Sequence, residues 1–358
     1  MARKTSDDLD DYRSVCTRFL GGHGARSAGE QLAVISHDTE TDQYGVGGVV
    51  AELEVEVCRL LGKPAAAFMP SGTMAQQIAL RIHADRNGSR VVAFHPTCHL
   101  ELHEDQAYRR LHGLRGVTVG DPRALFTLDD LRRVKGKLAA VLFELPQREI
   151  GGVLPAWKDL RAQIAHVRSR GAAVHLDGAR LWESTPFYEK TPAQIAAPFD
   201  TVYVSFYKGV GGLAGACLAG PKDVIEEART WRKRHGGTLF GMWPNAAAAL
   251  AGLELRLRHM ARYHAHARAI AKELREVPGV EILPDPPHTN MMRLVLAVDE
   301  KRLRRNACRI AREHGVYTFR WNGPGYRPST RMVELTVGDA TLAFEPREVA
   351  DLVAGLMR

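Results

Sequence analysis

"DTVYVSFYKGVGG", Asp200–Gly212, is an apolar, β-branched run that ends on a serine, a tyrosine and a lysine and then turns on glycines. Lysine is rarely buried unless it is paired or covalently used. Lys208 at the end of a buried strand is therefore either a snorkelling side chain or a chemical group. The stretch before it, "AAVHLDGAR" (Ala172–Arg180), has the same form. An apolar run ends on a carboxylate, Asp177, with Arg180 three residues on.

Working outward, "PAAAFMPSG", "RVVAFHP", "GVTVGD" and "LAAVLFELP" are further short strand-like runs. Helical patterns lie around and between them: "GGVVAELEVEVCRLLGK", "TMAQQIALRIHADRNG", "TLDDLRRVKGK" and "AWKDLRAQIAHVRSRG". Strands alternating with helices predict an α/β fold with a mostly parallel sheet flanked by helices. From Ala246 the texture changes. One very long helical pattern runs to about residue 277, followed by "GVEILPD", "NMMRLVLAV", a helix near Lys301–His314 and "STRMVELTV". The expected organisation is an N-terminal arm over 1–45, a large domain over 46–245 and a small C-terminal α+β domain over 246–358.

The 358 residues carry 45% hydrophobic and 25% charged side chains, enough for an enzyme-sized core. The net charge of +8 is spread through helical stretches such as "EKRLRRNACRIAREHG" rather than gathered in a tail. A solvated basic face is expected, and no nucleic-acid partner. The five cysteines form no CxxC pair, which argues against structural zinc, any metal site of that kind, or a disulfide framework and suits a reducing cytoplasm. Neither a signal peptide nor an apolar run near the roughly 18 residues of a membrane span is visible.

In an open parallel sheet, ligands sit beyond the carboxyl ends of the strands. Three pieces of this chain end strands with unusual chemistry. Ser71, Gly72 and Thr73 in "MPSGTMA" precede a helix, whose N-terminus offers free N–H groups to an anion, although an ordinary helix cap reads the same way. Asp177 needs a partner if buried, and Arg180 can supply one. Lys208 is the third piece. Together, an anion cradle, a strand-end aspartate and a strand-end lysine are what pyridoxal 5'-phosphate requires. The cradle takes the phosphate, the aspartate keeps the pyridine nitrogen protonated, and the lysine binds the aldehyde.

These motifs, with "CHLELHE", "ELPQREIGG", "TNMMRL" and the later "STRMVEL", resemble the threonine aldolase/β-eliminating lyase family of fold-type I pyridoxal phosphate-dependent enzymes. The resemblance spans about Gln43 to Arg331. It implies a fold-type I transferase-like architecture and a homodimer or homotetramer with sites at the subunit interface. It implies that Lys208 is the Schiff-base lysine, Asp177 the partner of the pyridine nitrogen, and Ser71, Gly72 and Thr73 the phosphate loop. Ser205 is expected beside the cofactor. His99 aligns with the histidine that stacks on the ring, Glu104 with the acid five positions on, and Arg180 and Arg331 with the groups near the substrate carboxylate. The family's "ENTHN" reads "ELPQR" here, so the histidine near the substrate hydroxyl becomes Gln147. Glutamine can hydrogen-bond a hydroxyl but cannot act as a base near neutral pH. The proton would then go to water, to His99 or to another group.

The expected activity is cleavage of the Cα–Cβ bond of a β-hydroxy-α-amino acid, threonine or allo-threonine giving glycine and acetaldehyde. The rival chemistries on the same site are β-elimination and transaldol or hydroxymethyl transfer. A non-catalytic binding protein keeping the fold is the rival of another class, and an intact Asp177 and Lys208 argue against it.

Overall fold

The computed structural model describes residues 8–319 and 322–358; the first seven residues of the expected arm and residues 320–321 lie outside the described residues. Thirteen strands are present among the described residues. They are β1 (Arg18–Phe19), β2 (Ala65–Met69), β3 (Val91–Phe94), β4 (Arg115–Thr118), β5 (Ala140–Glu144), β6 (Ala173–Gly178), β7 (Thr201–Ser205) and β8 (Ala216–Gly220), then β9 (Val280–Leu283), β10 (Met291–Leu296), β11 (Val316–Tyr317), β12 (Asn322–Pro324) and β13 (Arg331–Thr336). The chain divides into two compact units, Ser27–Arg258 and a smaller one made of the residues up to Arg26 with His259–Arg358.

In the larger unit, β2 to β8 form one sheet in the order β2-β8-β7-β6-β5-β3-β4. β3 to β7 run parallel, and β8 is antiparallel to both its neighbours. The parallel strands need helical crossovers, whereas the short glycine-rich segment after Lys208 can only double back. That segment is why the sheet is mostly rather than wholly parallel. β5, β6, β7 and β8 are buried along nearly their whole length, which is why they read as continuous apolar runs rather than alternating ones.

The helices match their sequence signals. Gly48–Leu61 buries Val49, Val50, Leu53, Val57 and Leu61 and stops at Gly62 in the left-handed conformation. Gly72–Asn87 starts at Ser71, whose hydroxyl accepts the Met74 N–H at 3.2 Å. Its Ala75, Ile78, Ala79 and Ile82 enter the core beside β2, β7 and β8.

One long helical pattern departs from expectation. After Ala246 the chain forms two helices, Trp243–Arg256 and Met260–Leu274, separated by a 3₁₀ turn at Leu257–His259. The turn contains no glycine or proline, and its i, i+3 spacing preserves the apolar periodicity, so the break leaves no mark in the pattern.

In the smaller unit an antiparallel sheet runs β12-β13-β10-β9, and β1 pairs parallel with β11. The helix Glu300–His314 buries Leu303, Ala307, Ile310 and Ala311 and turns Lys301, Arg302, Arg304, Arg305 and Arg312 to solvent. This is the solvated basic face the charge pattern implied. No helix among the described residues is long and apolar enough to cross a membrane.

Candidate active site

The carboxyl ends of β5, β6 and β7 carry Glu144, Asp177 and Ser205, and Lys208 follows three residues beyond β7. Glu144 and Asp177 are register partners on adjacent parallel strands, so two carboxylates emerge side by side. A cleft opens above them. Its walls bring together Lys208, Asp177, Arg180, Glu144, His99 and Arg148, with His103 and Glu149 at one side.

Asp177 is almost completely buried. Its Oδ2 accepts a hydrogen bond from Gln76 Nε2 at 2.7 Å, and its Oδ1 accepts the Ala179 amide at 3.0 Å. Gln76 lies on the second turn of the helix Gly72–Asn87, so the helix that begins at the Ser71 cap also aims the carboxylate. The Gln76 Oε1 is buried without a hydrogen-bond partner.

Lys208 is half-buried. Burial, then the nearby Arg180 guanidinium, lowers its ammonium to about 8, against the opposing pull of Asp177 and Glu144. A substantial fraction of this amine is therefore neutral and nucleophilic near pH 8. The turn behind it depends on Gly209. A Cβ there would come within 2.0 Å of Oε1 of the buried Glu183.

The helix start expected to cradle an anion is built on a second close approach. The Tyr203 phenol of β7 lies against the first turn of the helix, where a Cβ on Gly72 would meet Tyr203 Oη at 2.0 Å. The first-turn amides of a helix have no intrahelical acceptor. Beside them the Ser205 hydroxyl is buried next to the Tyr203 phenol without a hydrogen bond of good geometry.

His99 opens a four-residue helix, His99–Leu102. Its Nδ1 lies 3.1 Å from Oε1 of the buried Glu104, whose other oxygen accepts Gln77 Nε2 at 3.4 Å. Glu144 ties this segment to the loop after β5. Its Oε2 accepts the His99 amide at 3.1 Å and its Oε1 the Arg148 amide at 3.0 Å. Burial and the adjacent Asp177 charge push Glu144 up to about 7, although the two amides and Lys208 favour its carboxylate.

The expected site residues do not all meet. Lys208, Asp177, Arg180 and His99 line the cleft, and Ser71, Gly72, Thr73 and Ser205 lie where the helix meets the end of β7. Gln147 does not line it. Its side chain is buried, with Nε2 turned to Thr97 Oγ1 at 3.4 Å and Glu144 Oε2 at 3.3 Å, facing a separate cavity with Phe126, Phe143 and Gln163. Arg148 reaches the cleft in its place. Arg331 belongs to the smaller unit, on β13, where its Nη2 is 3.3 Å from Glu300 Oε2.

Sequence reasoning passed over Gln76, Glu144, Arg148, His103 and Glu149. Glu144 carried the same signal as Asp177, an acid closing an apolar run. Gln76 carried none, because a neutral amide on a buried helix face looks like any other.

Residues 25–299 match the family model described as Beta-eliminating lyase. Low-specificity L-threonine aldolase 1 of Arabidopsis thaliana is 27% identical over 82% of this chain and 85% of its own length. A Listeria monocytogenes structure, provisionally described as an L-allo-threonine aldolase, superposes with a TM-score of 0.91 at 39% identity, covering 98% of each chain. The serine palmitoyltransferase of S. paucimobilis shares the fold at a TM-score of 0.68 and 17% identity, covering 95% of this chain and 86% of its own.

Proposed function

Because this chain belongs to the beta-eliminating lyase family, we propose that the cleft holds pyridoxal phosphate and cleaves the Cα–Cβ bond of β-hydroxy-α-amino acids, threonine or allo-threonine giving glycine and acetaldehyde. The observation that carries the reading is the convergence of a lysine lowered to about 8, a buried aspartate and a free-standing guanidinium, Arg180, in one cleft.

The residues fit the cofactor. A pyridine N–H would find the buried Asp177 carboxylate, already oriented by Gln76 and the Ala179 amide. Phosphate oxygens would find the first-turn amides after Ser71 and the buried Ser205 hydroxyl. Bound there, pyridoxal phosphate supplies the electron sink that makes a carbanion at Cα attainable.

This chain's own groups do the rest. Lys208 Nζ would hold the cofactor. Asp177 holds a proton on the ring nitrogen. His99, fixed by Glu104, supplies a flat face against the ring. Arg180 would hold the substrate carboxylate and so orient the bonds at Cα. The role expected of Arg331 beside that carboxylate stays part of the proposal and rests on sequence alone. The proposal includes a homo-oligomer. Tyr44, Val46 and Phe240 are exposed, with the Tyr44 and Phe240 rings 5.4 Å apart, an apolar surface suited to a second copy.

The test is the absorbance spectrum of purified protein with pyridoxal phosphate, followed by acetaldehyde release from L-threonine and L-allo-threonine. A cofactor band and acetaldehyde are expected, with both lost in Lys208→Ala. Pyruvate and ammonia in place of acetaldehyde would replace aldol cleavage by β-elimination, and a missing band would end the reading.

A further inference from the structure

Cleaving a β-hydroxy amino acid requires a base for the β-hydroxyl, and Gln147 is neither a base nor in the cleft. We propose that His103 is that base and that Glu149 is its positioning residue, an inference that rests on the aldol reading above.

His103 Nε2 lies 3.0 Å from Glu149 Oε1, and both residues line the cleft that contains Lys208. The carboxylate is half-buried and the imidazole more open, with side-chain exposures of 16% and 41%. Arg148 Nη1 donates to the same Glu149 oxygen at 2.6 Å and fixes it in place. A carboxylate that accepts from Nε2–H leaves Nδ1 as the acceptor, the arrangement of a base held by an orienting acid. The other candidates are engaged. Both Glu144 oxygens accept backbone amides. His99, its ring centroid 5.1 Å from that of His103, is the residue assigned above to the face of the cofactor ring, which leaves His103 for the hydroxyl. The cleft thus has two histidine–glutamate pairs side by side, one for stacking and one for proton transfer.

The step balances. The β-hydroxyl O–H bond breaks and its proton passes to His103 Nδ1. The oxygen's electron pair becomes the carbonyl π bond of the departing aldehyde. The Cα–Cβ bond breaks and its pair remains at Cα, which takes up a proton from solvent without His103, while the imidazolium gives its own proton to water and is neutral again.

The test compares wild type with His103→Gln, His103→Ala and Glu149→Gln in two reactions of the same site. Threonine cleavage needs the base, whereas exchange of the glycine α-proton with solvent deuterium does not. His103→Gln is expected to lower kcat for cleavage about 100-fold or more, with KM and glycine exchange within about twofold of wild type. Imidazole added to His103→Ala restores cleavage if the histidine acts chemically, and does not if it only shapes the wall. Independently of turnover, ¹⁵N spectra of the cofactor-free chain should show His103 as the Nε2–H tautomer, with that preference lost in Glu149→Gln. Wild-type cleavage in His103→Gln, or an Nδ1–H tautomer, overturns the assignment and leaves the aldolase reading intact. Exchange of glycine without cleavage of any β-hydroxy amino acid by wild type overturns both.

Discussion

The floor of the cleft and its rim are built from different materials. The floor is strand ends and one helix: Asp177 on β6, Ser205 on β7, and Gln76 reaching down from Gly72–Asn87. The rim is two short irregular segments, His99–Glu104 and Leu145–Glu149, tied to each other through the Glu144 carboxylate. Sheet register places the floor side chains, so in the proposed reading they would serve any reaction the cofactor performs. Loops place the rim, and loops are where one scaffold exchanges one substrate chemistry for another.

The sharpest way to break this division is at Asp177. Asp177→Asn keeps the shape and removes the charge that would hold the ring proton. Threonine cleavage and glycine exchange should both fall, by about 10²–10³-fold. The rim variant His103→Gln, by contrast, should depress cleavage alone. Equal loss of both reactions in the rim variant would erase the distinction. Gln76→Ala is the weaker form of the same floor test. It removes one hydrogen bond to a charged group, worth about 1.5–3 kcal/mol, so both reactions should slow about 10- to 100-fold. Steady-state rates for the two reactions, measured on the same preparations, decide it.

The same division explains what the sequence revealed. Asp177 and Lys208 close apolar runs, and a polar group in that position announces itself because burying it costs free energy. The order of strands and helices, and the helix after Ser71, were legible for similar reasons of periodicity and capping. The rim was not. Gln147 and Arg148 are neighbours in sequence, yet one faces a separate cavity and the other the cleft, and only the loop's path decides which. Spacing cannot say which of two histidines four residues apart meets a glutamate 46 positions away. The 3₁₀ turn at Leu257–His259 was hidden because it keeps the helical apolar spacing.

The floor also rests on close approach, and its cost can be read from stability alone. Gly72→Ala would drive a methyl into the Tyr203 hydroxyl. Overpacking of this kind costs about 1–3 kcal/mol. Tyr203→Phe in the same chain removes the atom struck first and should recover part of the loss. Urea unfolding of the single and double variants measures it, and additive rather than compensating effects would show that the contact does not limit the helix.

Beneath the floor lies a second pair of histidines, and it ties the floor to pH. His83, on the helix that carries Gln76, and His175, two residues before Asp177 on β6, both meet the Thr201 hydroxyl of β7 at 2.8 Å. These are the three elements that position the Asp177 carboxylate. Both imidazoles are buried, and burial lowers His83 to about 4 and His175 to about 3. The folded chain therefore refuses protons that the unfolded chain accepts below its ordinary histidine value of about 6.5. Stability is whole above pH 6.5 and is lost as pH falls toward 4, by about 1.4 kcal/mol per pH unit for each such histidine. His83→Gln keeps a hydrogen-bonding group and cannot be protonated in this range. Its unfolding free energy between pH 6 and pH 5 should fall less steeply than that of wild type by about 1.4 kcal/mol per pH unit. Acid should thus unfold the chain from the floor, and a His83→Gln chain whose acid midpoint stays at the wild-type pH would show that this imidazole does not carry the effect.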